Sequence, residues 1–517
     1  MLPKTPRKVL FISADQWRAE CLGALDHPVV KTPNLDALAA AGALFRNHFT
    51  QCTPCGPART SLLTGLYLMN HRSGRNGTPL DARHTNLAQE VRRAGFDPTL
   101  FGYTDTSADP RGRHPEDPAL TTYEGPMPGF TVGMLLPDHM MPWMAHLKTR
   151  GYDFPNGRVD AYKPRRDFKL PADRGFRAIP TIFSNEDSDT VFMADTVINW
   201  LSVRRNQNWF AHVVFLRPHP PLIAPEPYNM LYHPKDVPAP HRAPSAAQEA
   251  AQHPYLAYKM KRLRPQDGYD EHNPAELVAM SELDIRQMRA TYYALMTQVD
   301  AEVGRIIEHL KATGEYDETL IVFTCDHGEM LGDHYQWGKQ IYFDQSFHIP
   351  LIIRDPRESA GAGRGRQHDA FTEAVDIMPT ILDWLSLETP RQCDGRSLLP
   401  LVEGKQPSPW RTEVRWEHDF RDIPSLDPET ELGLASDDCA YAVVRDHRFK
   451  YVHFAALPPL FFDLKADPWE MRNLAMDPAY ATEMLGYAQK MLSWRLSHAD
   501  RTLTGMHLTG RGVISRR

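Results

Sequence analysis

The chain has 517 residues, 42% hydrophobic and 24% charged, so it can bury a large core and is not a disordered chain. Its formal net charge of −7 lacks the basic surplus of a dedicated nucleic-acid binder. Six cysteines are too sparse for a disulfide scaffold, and no apolar run approaches the roughly 18 residues that span a membrane.

At about 100–200 residues per domain, the length suggests a large α/β domain followed by a smaller one. After Lys4-Thr5-Pro6-Arg7-Lys8, the apolar run Val9–Ala14 is too short for a secretory signal. It predicts a strand buried on both faces, and the chain reads as cytoplasmic. A helix is expected over Pro33–Ala41, capped by Thr32 and stopped by Gly42. A second is expected up to Ala94, with Thr85 as cap and Gly95 as terminator. Pro98–Tyr103 reads as a strand, Thr190–Arg205 as a helix and Trp209–Leu216 as a strand.

Ser281–Thr313 is the longest helical pattern, stopped by Gly314. The strand Thr319–Thr324 follows, then Ile349–Ile353 and a helix over Val375–Leu385. Asp105–Ser188 and Pro218–Pro274 show little periodicity and are rich in Pro and Gly, as functional loops are. Beyond residue 386 the pattern changes to short β-like runs (Tyr441–Val444, Phe449–His453, Leu460–Asp463) and a closing helix, Tyr480–His498. The expectation is α/β: a large sheet flanked by helices in 1–385, then a smaller β-rich domain in 386–517.

Ligands in such sheets bind beyond the carboxyl ends of strands. Two apolar runs end in metal-capable pairs, Asp15-Gln16 and Asp326-His327. Two carboxylates, an amide oxygen and an imidazole would hold one divalent cation and leave a position for substrate. The third feature is Cys52-Thr53-Pro54-Cys55-Gly56-Pro57-Ala58-Arg59, continuing to Leu62-Leu63-Thr64-Gly65. A thiol-redox role for Cys52 and Cys55 would leave Pro57 and Arg59 unexplained, and no second cysteine pair completes a zinc site.

Cys55-Gly56-Pro57-Ala58-Arg59 matches C-x-P-x-R. With both metal pairs in family order, Asp394-Gly395-Arg396-Ser397-Leu398-Leu399-Pro400 and Phe461-Phe462-Asp463-Leu464, the chain resembles the sulfatases of the alkaline phosphatase superfamily. The resemblance covers nearly the whole chain and implies an alkaline-phosphatase-like mixed sheet with a C-terminal antiparallel sheet. It also implies oxidation of Cys55 to formylglycine by a formylglycine-generating enzyme. The hydrated aldehyde is then the nucleophile and shares the cation with Asp15, Gln16, Asp326 and His327. One hydroxyl attacks the ester and the other expels the bound group by re-forming the aldehyde. Arg59, one helical turn after Cys55, would neutralise and orient the nucleophile. By resemblance His219, within Arg217-Pro218-His219-Pro220-Pro221, contacts the scissile ester as general acid, and Lys339 of Trp337-Gly338-Lys339 binds substrate oxygens.

Most sulfatases carry Lys-x-His after the second strand, where this chain has Gly102-Tyr103-Thr104-Asp105-Thr106. Tyr103, with Asn76 of Arg75-Asn76-Gly77, resembles the phosphonate monoester hydrolase branch, which also takes phosphodiesters and sulfate esters. The resemblance gives Asn76, Tyr103, Asp105 and Thr106 as substrate-binding positions. The phosphonate enzymes have Thr where this chain has Asp105, and the added carboxylate is expected to tilt the balance toward sulfate esters, while the missing Lys and His leave less positive charge and disfavour dianions. The leading expectation is an arylsulfatase-like hydrolase, with a phosphonate monoester hydrolase or phosphodiesterase as the alternative. An inactive binding protein is opposed by the intact set of site residues. The His327 imidazole favours Mn²⁺ over Ca²⁺. The resemblance also implies a homo-oligomer, dimer or tetramer, to which the Thr502–Arg517 tail contributes.

Overall fold

A computed structural model describes residues 7–137, 139–262 and 280–515. Lys4–Pro6, the portion of the Pro218–Pro274 stretch beyond residue 262 and the last two residues of the tail lie outside the described residues. Eight strands form the large sheet: β1 (Lys8–Asp15), β2 (Ala43–Phe49), β3 (Pro98–Gly102), β4 (Thr131–Leu135), β5 (Trp209–Pro218), β6 (Thr319–Cys325), β7 (Leu351–Arg354) and β8 (Arg366–Glu373). Their spatial order is β4-β3-β5-β1-β6-β7-β2-β8. Only β7 runs against its neighbours, so the sheet is mixed, with five parallel strands on the side that carries the site.

β1 is buried along its whole length because β5 and β6 take both its edges and helices cover its faces. Val9, Leu10, Phe11 and Ile12 are fully buried there, each worth about 1.5–3 kcal/mol for a side chain of that size. The covering helices include Pro33–Ala41, Leu87–Arg93, Asp189–Ser202, Glu282–Ala312 and Ile377–Trp384.

Several boundaries differ from expectation. Asn86, not Thr85, caps the Leu87–Arg93 helix: its Oδ1 accepts from Gln89 N at 3.1 Å, while the Thr85 hydroxyl turns to Glu90. Ser188 caps the helix that starts at Asp189, which ends at Ser202 rather than Arg205. The helix expected from Val375 begins at Ile377, after a 3₁₀ turn over Ala374–Asp376. Strands β2, β4 and β8 have no counterpart among the expected elements. β4 and β8 are the sheet edges and expose polar or small residues, so they lack a continuous apolar run. The stretches read as irregular also hold the helices Met141–Thr149, Arg158–Ala161, Ala246–Ala250 and Pro254–Arg262.

A second sheet, antiparallel, is built from β9 (Val414–Asp419), β10 (Ala440–Arg445), β11 (Phe449–Phe454) and β12 (Leu460–Asp463), in the order β12-β11-β10-β9. Helix Ala481–His498 packs on it through Tyr487, Met491 and Trp494, and a hairpin of β13 (Met506–Thr509) and β14 (Gly512–Ser515) follows. β9 braces the turn before Cys55: Glu417 N donates to Gln51 O at 2.9 Å and His418 Nδ1 to Thr53 O at 3.0 Å. Among the described residues no helix is long and apolar enough to cross a membrane.

Candidate active site

Sheet register assembles the site. Ala14 of β1 lies opposite Cys325 of β6, which sets Asp15 beside Asp326, and Asp15 itself pairs with Pro218 at the end of β5. β3 runs parallel to β5 and delivers Tyr103 and Asp105 to the same end. Gln16, the next residue after β1, has φ +69, a left-handed conformation that is costly for a non-glycine residue. Its backbone is pinned there: Gln16 N donates to Asp326 Oδ1 at 3.1 Å, and Tyr292 donates its hydroxyl to Gln16 O at 2.6 Å.

Cys55 opens the helix Cys55–Thr64, whose ten residues are all buried. The N-terminal dipole favours negative charge at that end. Gly56 donates its N–H to Asn76 Oδ1 at 2.9 Å. A Cβ on Gly56 would come within 2.9 Å of Asp105 O, so only glycine lets the 103–107 loop approach the helix this closely. One turn on, Arg59 is buried among three carboxylates: Nη2 reaches Asp15 at 2.5 Å and Asp326 at 3.0 Å, and Nη1 reaches Asp105 at 2.9 Å. Its guanidinium stacks on the Tyr103 ring at 4.1 Å, and Tyr103 donates its hydroxyl to Asp15 Oδ2 at 2.7 Å.

The donor set fits one divalent cation. Ligand atoms of Asp15, Cys55, Asp326 and His327 all lie within 4.8 Å of one another. Asp15 Oδ1 and Asp326 Oδ2 are buried and make no hydrogen bond among the described residues, although Oδ2 keeps its ionic contact with Arg59. Two buried carboxylate oxygens in this state are costly unless a cation meets them. His327 Nδ1 lies 3.0 Å from Gly328 O, which assigns the proton to Nδ1 and leaves the Nε2 lone pair facing the carboxylates. The Gln16 side chain is oriented from behind: Nε2 donates to Glu329, which leaves Oε1 turned to Lys339 Nζ at 2.7 Å.

Cys55 Sγ lies 3.1 Å from Lys339 Nζ and 3.2 Å from His327 Nε2. Burial, and next the Asp15 carboxylate, raise the Cys55 pKa well above the usual thiol range despite Lys339. The unmodified thiol is therefore protonated and a poor nucleophile. Cys52 is fully buried, faces Ser61 Oγ at 3.3 Å, and burial raises its pKa as well. Neither cysteine has the exposed, low-pKa character of a redox thiol.

His219 follows β5 directly. Its Nδ1 lies 2.8 Å from Pro220 O, which leaves Nε2 for the pocket. Burial, with Lys339 next, lowers its pKa to about 4, so the resting imidazole is neutral. Arg217 fixes this turn by donating to His219 O at 2.9 Å and Pro221 O at 2.8 Å. Burial pushes Asp105 up to about 7 against the pull of Arg59, with Asp15 and Glu124 adding to the rise. A divalent ion beside Arg59 would pull in the same direction as Arg59 and favour the carboxylate.

The structure thus gathers Asp15, Gln16, Cys55, Arg59, Tyr103, Asp105, His219, Asp326, His327 and Lys339 in one place, and Asn76 lines the same pocket. Thr106 is turned away: its hydroxyl pairs with Thr104 Oγ1 at 3.2 Å, and it lines a neighbouring cleft instead. Glu329 and Arg217 hold the site from behind and were not expected from the sequence. Glu329, two residues after His327, also accepts from Leu331 N at 2.9 Å and Gly338 N at 2.6 Å, tying the Lys339 turn to Gln16. Tyr123, Leu136, Met140, Arg158 and Leu216 complete the pocket wall. All but Leu216, which closes the expected strand Trp209–Leu216, come from stretches with no periodic signal.

The family model for sulfatases matches residues 7–387, and one described as N-sulphoglucosamine sulphohydrolase, C-terminal, matches residues 332–497. The multifunctional alkaline phosphatase superfamily protein PehA of Trinickia caryophylli is 46% identical over 518 residues, covering 99% of each chain. An arylsulfatase of Clostridium perfringens is 26% identical, covering 96% of this chain and 95% of its own. The solved phosphonate monoester hydrolase of Agrobacterium radiobacter superposes with a TM-score of 0.95 at 48% identity, covering 99% of this chain and 100% of that one. That of Silicibacter pomeroyi superposes with a TM-score of 0.92 at 43% identity, covering 99% of each. The large mixed sheet with its C-terminal antiparallel companion is the fold of these proteins. The chain therefore belongs to the sulfatase family of the alkaline phosphatase superfamily and is a hydrolase of ester bonds.

Proposed function

We propose that the protein hydrolyses singly charged esters, namely sulfate monoesters, phosphonate monoesters and phosphodiesters, at a nucleophile made from Cys55. The carrying observation is the charge balance of the buried site. Asp15, Asp105 and Asp326 oppose Arg59 and Lys339. A divalent ion would bring that balance to a single positive charge, matched to a monoanion. Relatives named phosphonate monoester hydrolase, at 43–48% identity, support phosphonate monoesters. Asp105 supports sulfate esters, which carry the same charge.

A formylglycine hydrate at position 55 supplies an oxygen nucleophile, and a divalent ion held by Asp15, Gln16, Asp326 and His327 supplies charge for it and for the nonbridging oxygens. Arg59, clamped by its three carboxylates through Nη1 and Nη2, orients the nucleophile. Lys339 and Asn76 bind the nonbridging oxygens, where negative charge must be held in line for displacement. His219 Nε2 handles the proton of the departing alkoxide. An imidazole ligand favours Mn²⁺ over Ca²⁺. The test is turnover of aryl sulfate, aryl phosphonate and aryl phosphate by Mn²⁺-loaded protein co-expressed with a formylglycine-generating enzyme. Faster turnover of the dianionic phosphate would contradict the reading.

The protein acts as a homo-oligomer joined through its C-terminal segment. Leu485, Leu492 and Leu496 of the last helix, and Met506, Leu508, Val513 and Ile514 of the hairpin, are exposed apolar side chains close together in sequence. Leu508→Asp in the full chain should lower the mass seen by light scattering. An unchanged mass with Leu492→Asp as well would reject this surface. Six buried, unpaired cysteines suit a reducing cytoplasm.

A further inference from the structure

Beside the catalytic pocket lies a cleft of about 630 Å³, within the size range of small-molecule sites. Glu124 and Pro137 line both spaces, so the two adjoin at these residues. One loop serves both. Asp105 faces the catalytic pocket, Thr106 and Ser107 line the cleft, and two residues of chain span at most about 7 Å.

Two residues of the cleft wall carry buried polar atoms without a partner. Ser107 and His84 are 7% and 8% exposed, and among the described residues Ser107 Oγ and His84 Nε2 make no hydrogen bond. Two such groups on one cleft wall are costly without a partner. The remaining wall is largely apolar, with Leu80, Leu135, Pro126 and Pro128. Charges at its edge are already matched: Arg111 is paired with Asp109 and Asp81, and Arg113 with Asp117. Burial, and then Arg83, lower the His84 pKa, so its imidazole is neutral.

We propose that this cleft binds the alcohol portion of the ester, an apolar body ending in a neutral hydrogen-bonding group that meets Ser107 and His84. The inference rests on the ester-hydrolase reading above and names the substrate class that the charged head alone does not define. With the head at Cys55, the alcohol passes between Glu124 and Pro137 and its far end lies in the cleft. Thr106 then contributes to substrate recognition through the cleft, not at the reacting centre.

The experiment compares phenyl sulfate and phenyl phosphonate with esters whose ring carries a three- to six-carbon chain ending in hydroxyl or methyl. In the wild type, kcat/KM should rise at least tenfold from the phenyl to the hydroxyl-ended ester. Ala108→Trp, which fills the cleft, should lower kcat/KM for the extended esters at least tenfold more than for phenyl. Ser107→Ala should lower the hydroxyl-ended ester alone. A flat series in the wild type, or equal losses on compact and extended esters, would overturn the proposal. Failure to turn over any ester would instead overturn the hydrolase reading. Calorimetric titration of the extended alcohol into wild type and Ala108→Trp decides the cleft even then: saturable binding lost in the variant supports it, and no binding refutes it.

Discussion

Arg59 and Asp105 form a buried ion pair at 2.9 Å, with both side chains almost wholly removed from solvent. Arg59 also meets Asp15 and Asp326, so both of its terminal nitrogens are engaged by carboxylates. Asp105 acts through Arg59 and through its charge. At an effective dielectric near 20, one unit charge about 6 Å away is worth about 3 kcal/mol, and a dianion feels it once more than a monoanion does. Asp105→Asn should raise kcat/KM for aryl phosphate relative to aryl sulfate by about ten- to a hundredfold. Asp105→Thr, which removes the same charge, should shift the phosphate-to-sulfate ratio in the same direction. Unchanged ratios in both variants would remove Asp105 as a charge selector.

Glu329 tests the support of the metal site. It holds Gln16 Nε2 and the backbone of Leu331 and Gly338, and loss of such an orienting partner typically costs about 10–100-fold in metal affinity. Glu329→Gln should weaken Mn²⁺ binding by that factor in a calorimetric titration. The melting temperature of the metal-free protein should change far less. An unaltered dissociation constant would show that Gln16 needs no orientation.

His219 tests the leaving-group role. General acid–base assistance is worth about 10²–10⁴-fold and matters most when the departing oxygen is basic. His219→Asn should cost alkyl esters about a hundredfold or more in kcat/KM, and 4-nitrophenyl esters less than tenfold. Equal losses across leaving groups would assign His219 to binding alone.

Asp300, far from the site, predicts a pH effect on stability. It accepts from Leu35 N at 2.7 Å and Asn34 Nδ2 at 2.9 Å, yet burial outweighs these bonds and pushes its pKa up to about 6. The folded state then keeps a proton that the unfolded chain loses near pH 4, so this group's contribution is full below that pH and is lost as pH rises through about 6. The stability difference between wild type and Asp300→Asn, followed by urea unfolding, should change across pH 4–6 and level off above. A difference independent of pH would show that Asp300 ionises normally.

The central strands and the reacting residues were legible in the sequence for one reason. β1, β5 and β6 are buried on both faces and so read as apolar runs; β1 ends at Asp15, and His219 and Asp326 are the first residues after β5 and β6. The edges were not legible, because β4 and β8 face solvent and carry no such run. Thr106 illustrates a second limit. Adjacent residues of an irregular loop can face different cavities, and only the turn at Asp105, with φ +50, sends Asp105 one way and Thr106 the other. Glu329 acts on the Gln16 side chain from across the fold, and no local pattern marks that kind of contact; Arg217 acts on the carbonyls of its own proline-rich turn, a role its sequence position does not declare. The pocket wall from Tyr123 to Arg158 lies in a stretch without periodicity.

The most direct test of the account is the mass of the peptide containing Cys55, measured on protein whose turnover of a monoanionic aryl ester has been recorded. The account predicts a peptide about 18 Da lighter than its cysteine form, in a fraction that tracks specific activity from batch to batch. Full activity in protein whose Cys55 peptide has the unmodified mass would contradict it.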